Sequence, residues 1–457
     1  MLNDYTSPPT TFVAAQIVRP AQSFFKKEAS SSILLVFASV LAVAWANSSF
    51  AASYHELWHI KLTLALGDHP ISKTLLHWIN DGLMTFFIFI VGLEIKREIL
   101  VGELSSRKSA LLPVVAALGG MLLPGIIFFV CNRGTATAQG WGIPVATDIA
   151  FALGAIAIFG RRLPVGLRVF LSAFAIADDL GAVIIIALFY TKEIIWYYLI
   201  ICIALVLCLA IANFLWVRWT VVYALLGIAI WVAVLGSGIH PTVAGFVVAL
   251  FIPARGKYDT DRFVQRVNEI MEEFQCEEQS CGYSILLNRG HLNAVHALEL
   301  ACHDVETPLQ RLEHALHPWV AFGLLPLFAF GNAGLTLKGM DLPNAVVQPL
   351  TLGIMLGLFL GKPLGITLFS YLAVKTGVAT LPAKVRWSHI LGAAMLGGIG
   401  FTMSLFVSGL SFSSTDLLNY SKLGILLGSA LSAAAGLLFL SCEYALRSKR
   451  EPLTAAR

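Results

Sequence analysis

The chain has 457 residues, of which 57% are apolar and only 13% are charged, about half the charged share of an ordinary soluble domain. A soluble fold of this length cannot hide that much apolar surface, and several apolar runs exceed the ~18 residues that cross a bilayer as a helix. The formal net charge is only +4, and the basic residues lie between apolar runs rather than on one face, which excludes nucleic acid as the implied partner.

Residues 1–31 are polar and lack the short apolar core and small-residue cut site of a secretory signal, so the first apolar run is expected to serve as an uncleaved anchor. About twelve spans are predicted, near 32–50, 80–95, 112–131, 142–159, 167–190, 193–216, 220–236, 239–253, 318–337, 346–374, 388–411 and 421–443. They are too long and too little alternating for barrel strands, and only helices satisfy their own backbone in lipid without closing a barrel. The expected fold is therefore an all-α polytopic membrane protein. It divides into an N-terminal segment 1–31, helices 1–8 over 32–253, a hydrophilic insert 254–317, helices 9–12 over 318–443 and a tail 444–457.

Basic residues set the expected orientation. With the N-terminus inside, 24 of the 31 Lys and Arg residues fall on cytoplasmic segments, including Lys96, Arg97, Arg161, Arg162, Lys384 and Arg386. The outer segments hold five: Lys61, Lys73, Arg133, Lys192 and Lys338. Both termini are then cytoplasmic. The insert is long for a connection between helices, and Arg262 to Phe274 within it has the apolar spacing of an amphipathic helix; the stretch around His291 to Leu312 suggests a second. Its Cys276, Cys281, His291, His296, Cys302 and His303 fit no standard zinc spacing. The seven cysteines form no paired framework, as suits reduced thiols. No nucleotide-binding loop or other cofactor signature appears.

Two spans are interrupted at corresponding places. The span at 142–159 is broken by Gly142-Ile143-Pro144 and then Thr147-Asp148, and the span at 388–411 by Gly397-Gly398-Ile399-Gly400-Phe401-Thr402. Each is the second of three spans, in 112–190 and 346–443. Such paired interruptions point to a transport site, although glycines also serve simple close packing of helices.

The charges inside the spans carry the chemistry. Asp178 and Asp179 lie deep in an apolar run, where two ionised aspartates cost ~5–7 kcal/mol on insertion scales. That cost points to an ion or proton pathway rather than to a structural pair. Neighbours in sequence diverge by roughly 100° around a helix, so the two cannot do identical work. Lys362 is a lone cation inside its span and the expected partner, the alternative being a side chain that snorkels to the interface. Asp148 is a third intramembrane carboxylate, placed to balance the partial charges of a broken helix or to cap it. Glu94, Arg97 and Glu98 cluster where the second span leaves the membrane, and Glu313, His314 and His317 cluster just before the ninth. The first group reads as a solvated salt-bridge face or as a functional cluster, and the second, whose histidines titrate near physiological pH, as a solvated face or a pH sensor. His240 lies near a membrane end, with the same two readings open.

Five motifs together resemble the bacterial NhaA-type sodium/proton antiporters: Glu94-Ile95-Lys96-Arg97-Glu98, Ala146-Thr147-Asp148-Ile149-Ala150-Phe151-Ala152, Ala175-Ile176-Ala177-Asp178-Asp179, Gly361-Lys362-Pro363-Leu364-Gly365 and Gly400-Phe401-Thr402-Met403-Ser404. The resemblance covers roughly residues 24–253 and 311–445. Inverted-topology repeats are known in that family, so the symmetry noted above is not an independent derivation. The resemblance implies twelve helices with two inverted three-helix repeats containing crossed, interrupted helices. It also implies an inner-membrane location, a homodimer, and electrogenic exchange of more than one H+ per Na+ or Li+. By position, Asp179 resembles the principal cation ligand and Asp178 the adjacent carboxylate that pairs with Lys362. Thr147, Asp148, Lys362 and Thr402 resemble the residues of the helix crossing. Glu94, Arg97, Glu98, Glu313, His314 and His317 resemble the family's pH-sensing region, and His240 a histidine linked to pH response. The insert, from about Gly256 to Thr307, is longer than the corresponding loop of the best-known members. The expected function is a secondary antiporter, not an enzyme. The alternatives are a same-fold transporter for K+ or an organic anion and, less well suited to adjacent aspartates, an intramembrane aspartyl protease.

Overall fold

The computed structural model describes residues 30–66, 69–191, 193–256, 260–272 and 289–448. Most of them are helical, and eight helices are long and apolar enough to cross a membrane, or ten when each of two bent pairs counts as one span. The chain is a polytopic membrane protein. Among the basic residues used for orientation, Arg19, Lys26, Lys27, Lys192, Lys257, Lys449, Arg450 and Arg457 lie outside the described residues, as do Cys276 and Cys281.

Helices α1 (Ser30–Ala46) and α2 (Ala51–His59) meet at 112°. Strands β1 (Lys61–Leu66) and β2 (His69–Thr74) follow as an antiparallel hairpin, with Lys61 opposite Thr74. This hairpin corrects the all-α expectation. Leucine recurs at every second position in β1, at 62, 64 and 66, a strand period that a search for long apolar runs passes over.

Helix α3 (Met84–Val101) continues a π-helical turn at Trp78–Leu83, and α4 (Arg107–Cys131) follows. The next span is broken: a 3₁₀ segment, Ala136–Val145, gives way to extended backbone at 146–148 before α5 (Ile149–Ala157). Then come α6 (Val165–Phe189), α7 (Trp196–Phe214), α8 (Thr220–Ser237) and the short apolar α9 (Thr242–Phe251).

The insert contributes α10 (Thr260–Glu272) and α11 (Arg289–Val305). They pack on each other through Ile270, Ala294 and Ala301, with Phe263 and Leu298 at the edge. The second helix stops at Val305 because Thr307 and Gln310 form a capping box that starts α12 (Pro308–Asn332). Residues 308–317, assigned to the insert by polarity, are continuous in one helix with the predicted ninth span. The Leu309 amide donates to the Pro253 carbonyl at 3.1 Å, which brings the two ends of the insert together.

Helix α13 (Pro349–Lys375) contains a π-helical turn at Gly357–Gly361, immediately before Lys362. Helices α14 (Trp387–Gly397) and α15 (Phe401–Ser411) form the second broken span, bent by 44° at the break, and α16 (Thr415–Ser448) closes the described chain. Helices α4 and α13 touch backbone to backbone: a Cβ on Gly365 would stand 2.1 Å from the Gly119 carbonyl oxygen. Lipid supplies no hydrophobic drive between helices, so close approach over small residues is what holds such a pair. That contact seats Lys362 in the interior.

Candidate ion-binding site

The site lies where the two broken spans meet. The Asp148 amide donates to the Ile399 carbonyl at 2.7 Å, and the Thr147 hydroxyl to the Gly397 carbonyl at 2.8 Å. Extended backbone at one break thus satisfies carbonyls left over at the end of α14. Asp148 serves two helix starts at once. Its Oδ1 accepts from the Phe151 amide at 3.1 Å, capping α5, while its Oδ2 accepts the Thr402 amide at 3.0 Å and the Thr402 hydroxyl at 2.5 Å, at the start of α15. One carboxylate therefore faces the partial positive charge of two half-helices. Asp148 thus stands at the N-cap of α5, one of the two readings open for it.

Asp178 and Asp179, on α6, are fully buried beside this crossing, as is Lys362 at the head of the last part of α13. The Lys362 ammonium donates to Asp178 Oδ2 at 2.6 Å and to the Thr147 hydroxyl at 2.8 Å, and lies 5.9 Å from the Phe174 ring centre. Lys362 does not snorkel. Asp179 is different: both of its carboxylate oxygens are buried and accept no hydrogen bond. A carboxylate is costly to bury without hydrogen-bond partners. Asp178 has its compensating charge already.

Over most of its length the chain is similar to known proteins. The sequence profile described as Na+/H+ antiporter 1 matches residues 22–440. The Na(+)/H(+) antiporter NhaA of Koribacter versatilis is 45% identical over 440 residues, covering 96% of this chain and 95% of that protein. NhaA 2 of Syntrophotalea carbinolica is 46% identical over 94% of this chain and 98% of its own length. NhaA of Oleidesulfovibrio alaskensis is 45% identical over 96% of both. The chain belongs to the Na+/H+ antiporter 1 family. It is a member of a transporter family, not an enzyme.

Within this family member, the remaining singled-out residues fall in three places. Arg97 bridges Glu313 and Glu98, the latter at 3.0 Å, although Arg97 and Glu313 are 216 positions apart. Glu94, Arg97, Glu313 and His317 line a cavity of about 120 Å³ whose inner wall includes Asp148 and Thr402. The charged residues of α3 and α12 thus share one cavity with two residues of the crossing. His314 points outward, largely exposed, with Glu306 at 3.5 Å. His240 is in neither group; it contacts the Thr242 hydroxyl at 2.8 Å and lies edge-on to Phe406 of α15, ring centres 5.4 Å apart.

Two participants escaped sequence reasoning. The Ser429 hydroxyl accepts from the Gly400 and Phe401 amides at 3.2 and 3.3 Å and so satisfies the second break. Phe174 flanks the Lys362 ammonium. A serine or a phenylalanine in an apolar run carries no signal of either role, because both residue types are ordinary in membrane helices.

Proposed function

We propose that this chain is an electrogenic antiporter that exports Na+, and Li+ with it, in exchange for H+ at the Asp178–Asp179 pair. The observation that carries the reading is the unpartnered, buried carboxylate of Asp179 beside the Asp178–Lys362 ion pair, at the contact of two broken spans. Sodium is a hard cation that takes oxygen ligands, and Asp179 offers two free ones. A dehydrated sodium ion and a proton neutralise the same carboxylate, so each excludes the other. Alternating exposure of the site to the two sides then converts exclusion into exchange. With more than one H+ returning per Na+, the membrane potential adds ~2.3 kcal/mol per net charge per 100 mV to the drive.

The finer architecture supports this reading. The ten spans counted with bent pairs, together with the apolar α9 and the charge-bearing α3, make up twelve. The broken spans occupy the middle of two three-span groups, 107–189 and 349–448, as two inverted repeats require. Sodium export by a proton gradient belongs in the bacterial inner membrane. The distribution of basic residues supports an orientation with both termini in the cytoplasm and the cavity at Glu94, Arg97, Glu313 and His317 as the cytoplasmic entrance. Titratable groups at that entrance, with His314 and His240, give the exchange its pH regulation. The protein is read as a homodimer with no cofactor.

Inside-out membrane vesicles test the proposal. Adding Na+ at fixed pH releases protons in proportion to protein, K+ does not, and an imposed membrane potential changes the rate. An exchange driven by K+ or by an organic anion in place of Na+ rejects it.

A further inference from the structure

The cavity just described approaches the crossing from one end; at the opposite end hydrogen bonds tie three elements together. There the Tyr190 hydroxyl, just past the end of α6, donates to the Gln139 carbonyl at 3.2 Å, and the Ser411 hydroxyl reaches the Tyr190 oxygen at 3.1 Å. The Gln139 side-chain amide donates to the Ser411 carbonyl at 2.9 Å. About two turns of α15 further in, the Ser404 hydroxyl donates to the Ile143 carbonyl at 2.8 Å. These bonds join three elements, the 3₁₀ segment Ala136–Val145, the end of α6 and the end of α15.

Packing behind the bonds is tight. A Cβ on Gly140 would stand 2.7 Å from the Phe412 ring, and one on Gly142 would stand 2.9 Å from the Tyr190 oxygen and 3.5 Å from Val407. Ile143, Val145, Val407 and Phe412 are all buried. Trp141 meets Phe189 edge-on with ring centres 5.1 Å apart. A plug of buried apolar side chains thus separates Thr147 and Asp148 from this end, with a polar clasp outside it. The two glycines are what let the clasp and plug close, since any side chain there would hold α15 away from the 3₁₀ segment.

We propose that Tyr190, Gln139 and Ser411 are the gate that closes the ion site on the side opposite the Glu94–Glu313 cavity. The protein opens to that side by parting α15 and the end of α6 from Ala136–Val145. This inference rests on the transport reading of the same site. The clasp suits the task because its bonds are few and neutral: each is worth only about 1 kcal/mol net, so it holds a state without locking it. Tyr190, Gln139 and Ser411 act by position and do not touch the ion.

Two measurements test the gate. Val407→Cys places a thiol in the plug, and Ala321→Cys places one in the opposite cavity. Their reaction with a water-soluble maleimide is followed peptide by peptide by mass spectrometry, with the clasp intact and with Tyr190→Phe, Ser411→Ala added. The expected result is an increase of about fivefold or more at residue 407, the population shift that one lost hydrogen bond gives, with a decrease at residue 321. A general loosening would raise both, and either that result or no change at residue 407 would overturn the gate. In the second measurement, Gln139→Cys/Ser411→Cys is bridged with a short reducible crosslinker. Exchange should stop while the bridge is intact and return on reduction; undiminished exchange through the bridged protein would overturn the gate. The maleimide measurement needs no transport, so a wild-type protein without exchange would count against the proposed function alone.

Discussion

Lys362 and Asp178 face each other at 2.6 Å with no exposure to solvent, while Asp179, the next residue along the same helix, has two buried oxygens and no hydrogen bond. Adjacent identical side chains are thus in opposite electrostatic conditions. One is compensated by a lysine; the other has no hydrogen-bond partner among the described residues.

Replacing Asp179 by Asn separates transport from folding. Sodium-dependent proton release from inside-out vesicles is expected to vanish. Stability should not fall, because a neutral amide is spared the ~2.5–3.5 kcal/mol that a charge costs inside a span. Retained exchange would remove Asp179 from the site, and a large drop in melting temperature would give it a structural role.

The ion pair predicts non-additivity. Lys362→Ala and Asp178→Ala should each destabilise strongly, by about 3–5 kcal/mol, because each strands a buried charge. The double variant should cost well below the sum, since neither charge remains. Melting temperatures of the four proteins form the cycle, and additive effects would mean that the two residues do not interact.

At the crossing, Asp148→Ala removes the acceptor for both α5 and α15. Asp148→Asn keeps a capping oxygen but not the charge. A lost cap is worth about 1 kcal/mol, so melting temperatures should fall in the order wild type, Asn, Ala. An Asn variant as unstable as the Ala variant would show that the charge, not the cap, holds the two starts.

The helix contact that seats Lys362 can be tested through glycine. Gly365→Ala drives a methyl against the Gly119 carbonyl and should cost about 1–3 kcal/mol. Gly409→Ala, on α15, meets nothing within 4 Å, and should be neutral or stabilising by up to about 1 kcal/mol through helix propensity. Equal effects of the two would argue against the close α4–α13 crossing.

Deleting residues 258–306 tests the insert. Pro253 and Leu309 are hydrogen-bonded and Thr307 remains to cap α12, so the helices on either side keep their starting points. Exchange is expected to persist with an altered pH profile, because the deletion removes Glu306, the acid beside His314. Superimposable profiles against pH at fixed sodium would free the insert of any regulatory part. Loss of exchange in a well-folded deletion variant would make it part of the transport machinery.

The sequence by itself determined that the chain spans a membrane many times, where two spans break, and which charges are out of place. Those conclusions rest on the high cost of charge and unsatisfied backbone in lipid, which makes Asp148, Asp178, Asp179 and Lys362 conspicuous in any apolar run. It also indicated an amphipathic helix near 262–274, found as Thr260–Glu272. The tertiary structure decided the partnerships. Which of two neighbouring aspartates meets Lys362 depends on the rotation of α6 against α13, and the π-helical turn at Gly357–Gly361 changes that rotation just before the lysine. Arg97 and Glu313 lie too far apart in sequence for any local pattern to pair them. The double duty of Asp148 needs two chain breaks to touch, and the clasp at Tyr190 needs three segments to converge. Composition and periodicity record what a residue costs in its surroundings; only the packed fold records which other residue repays it.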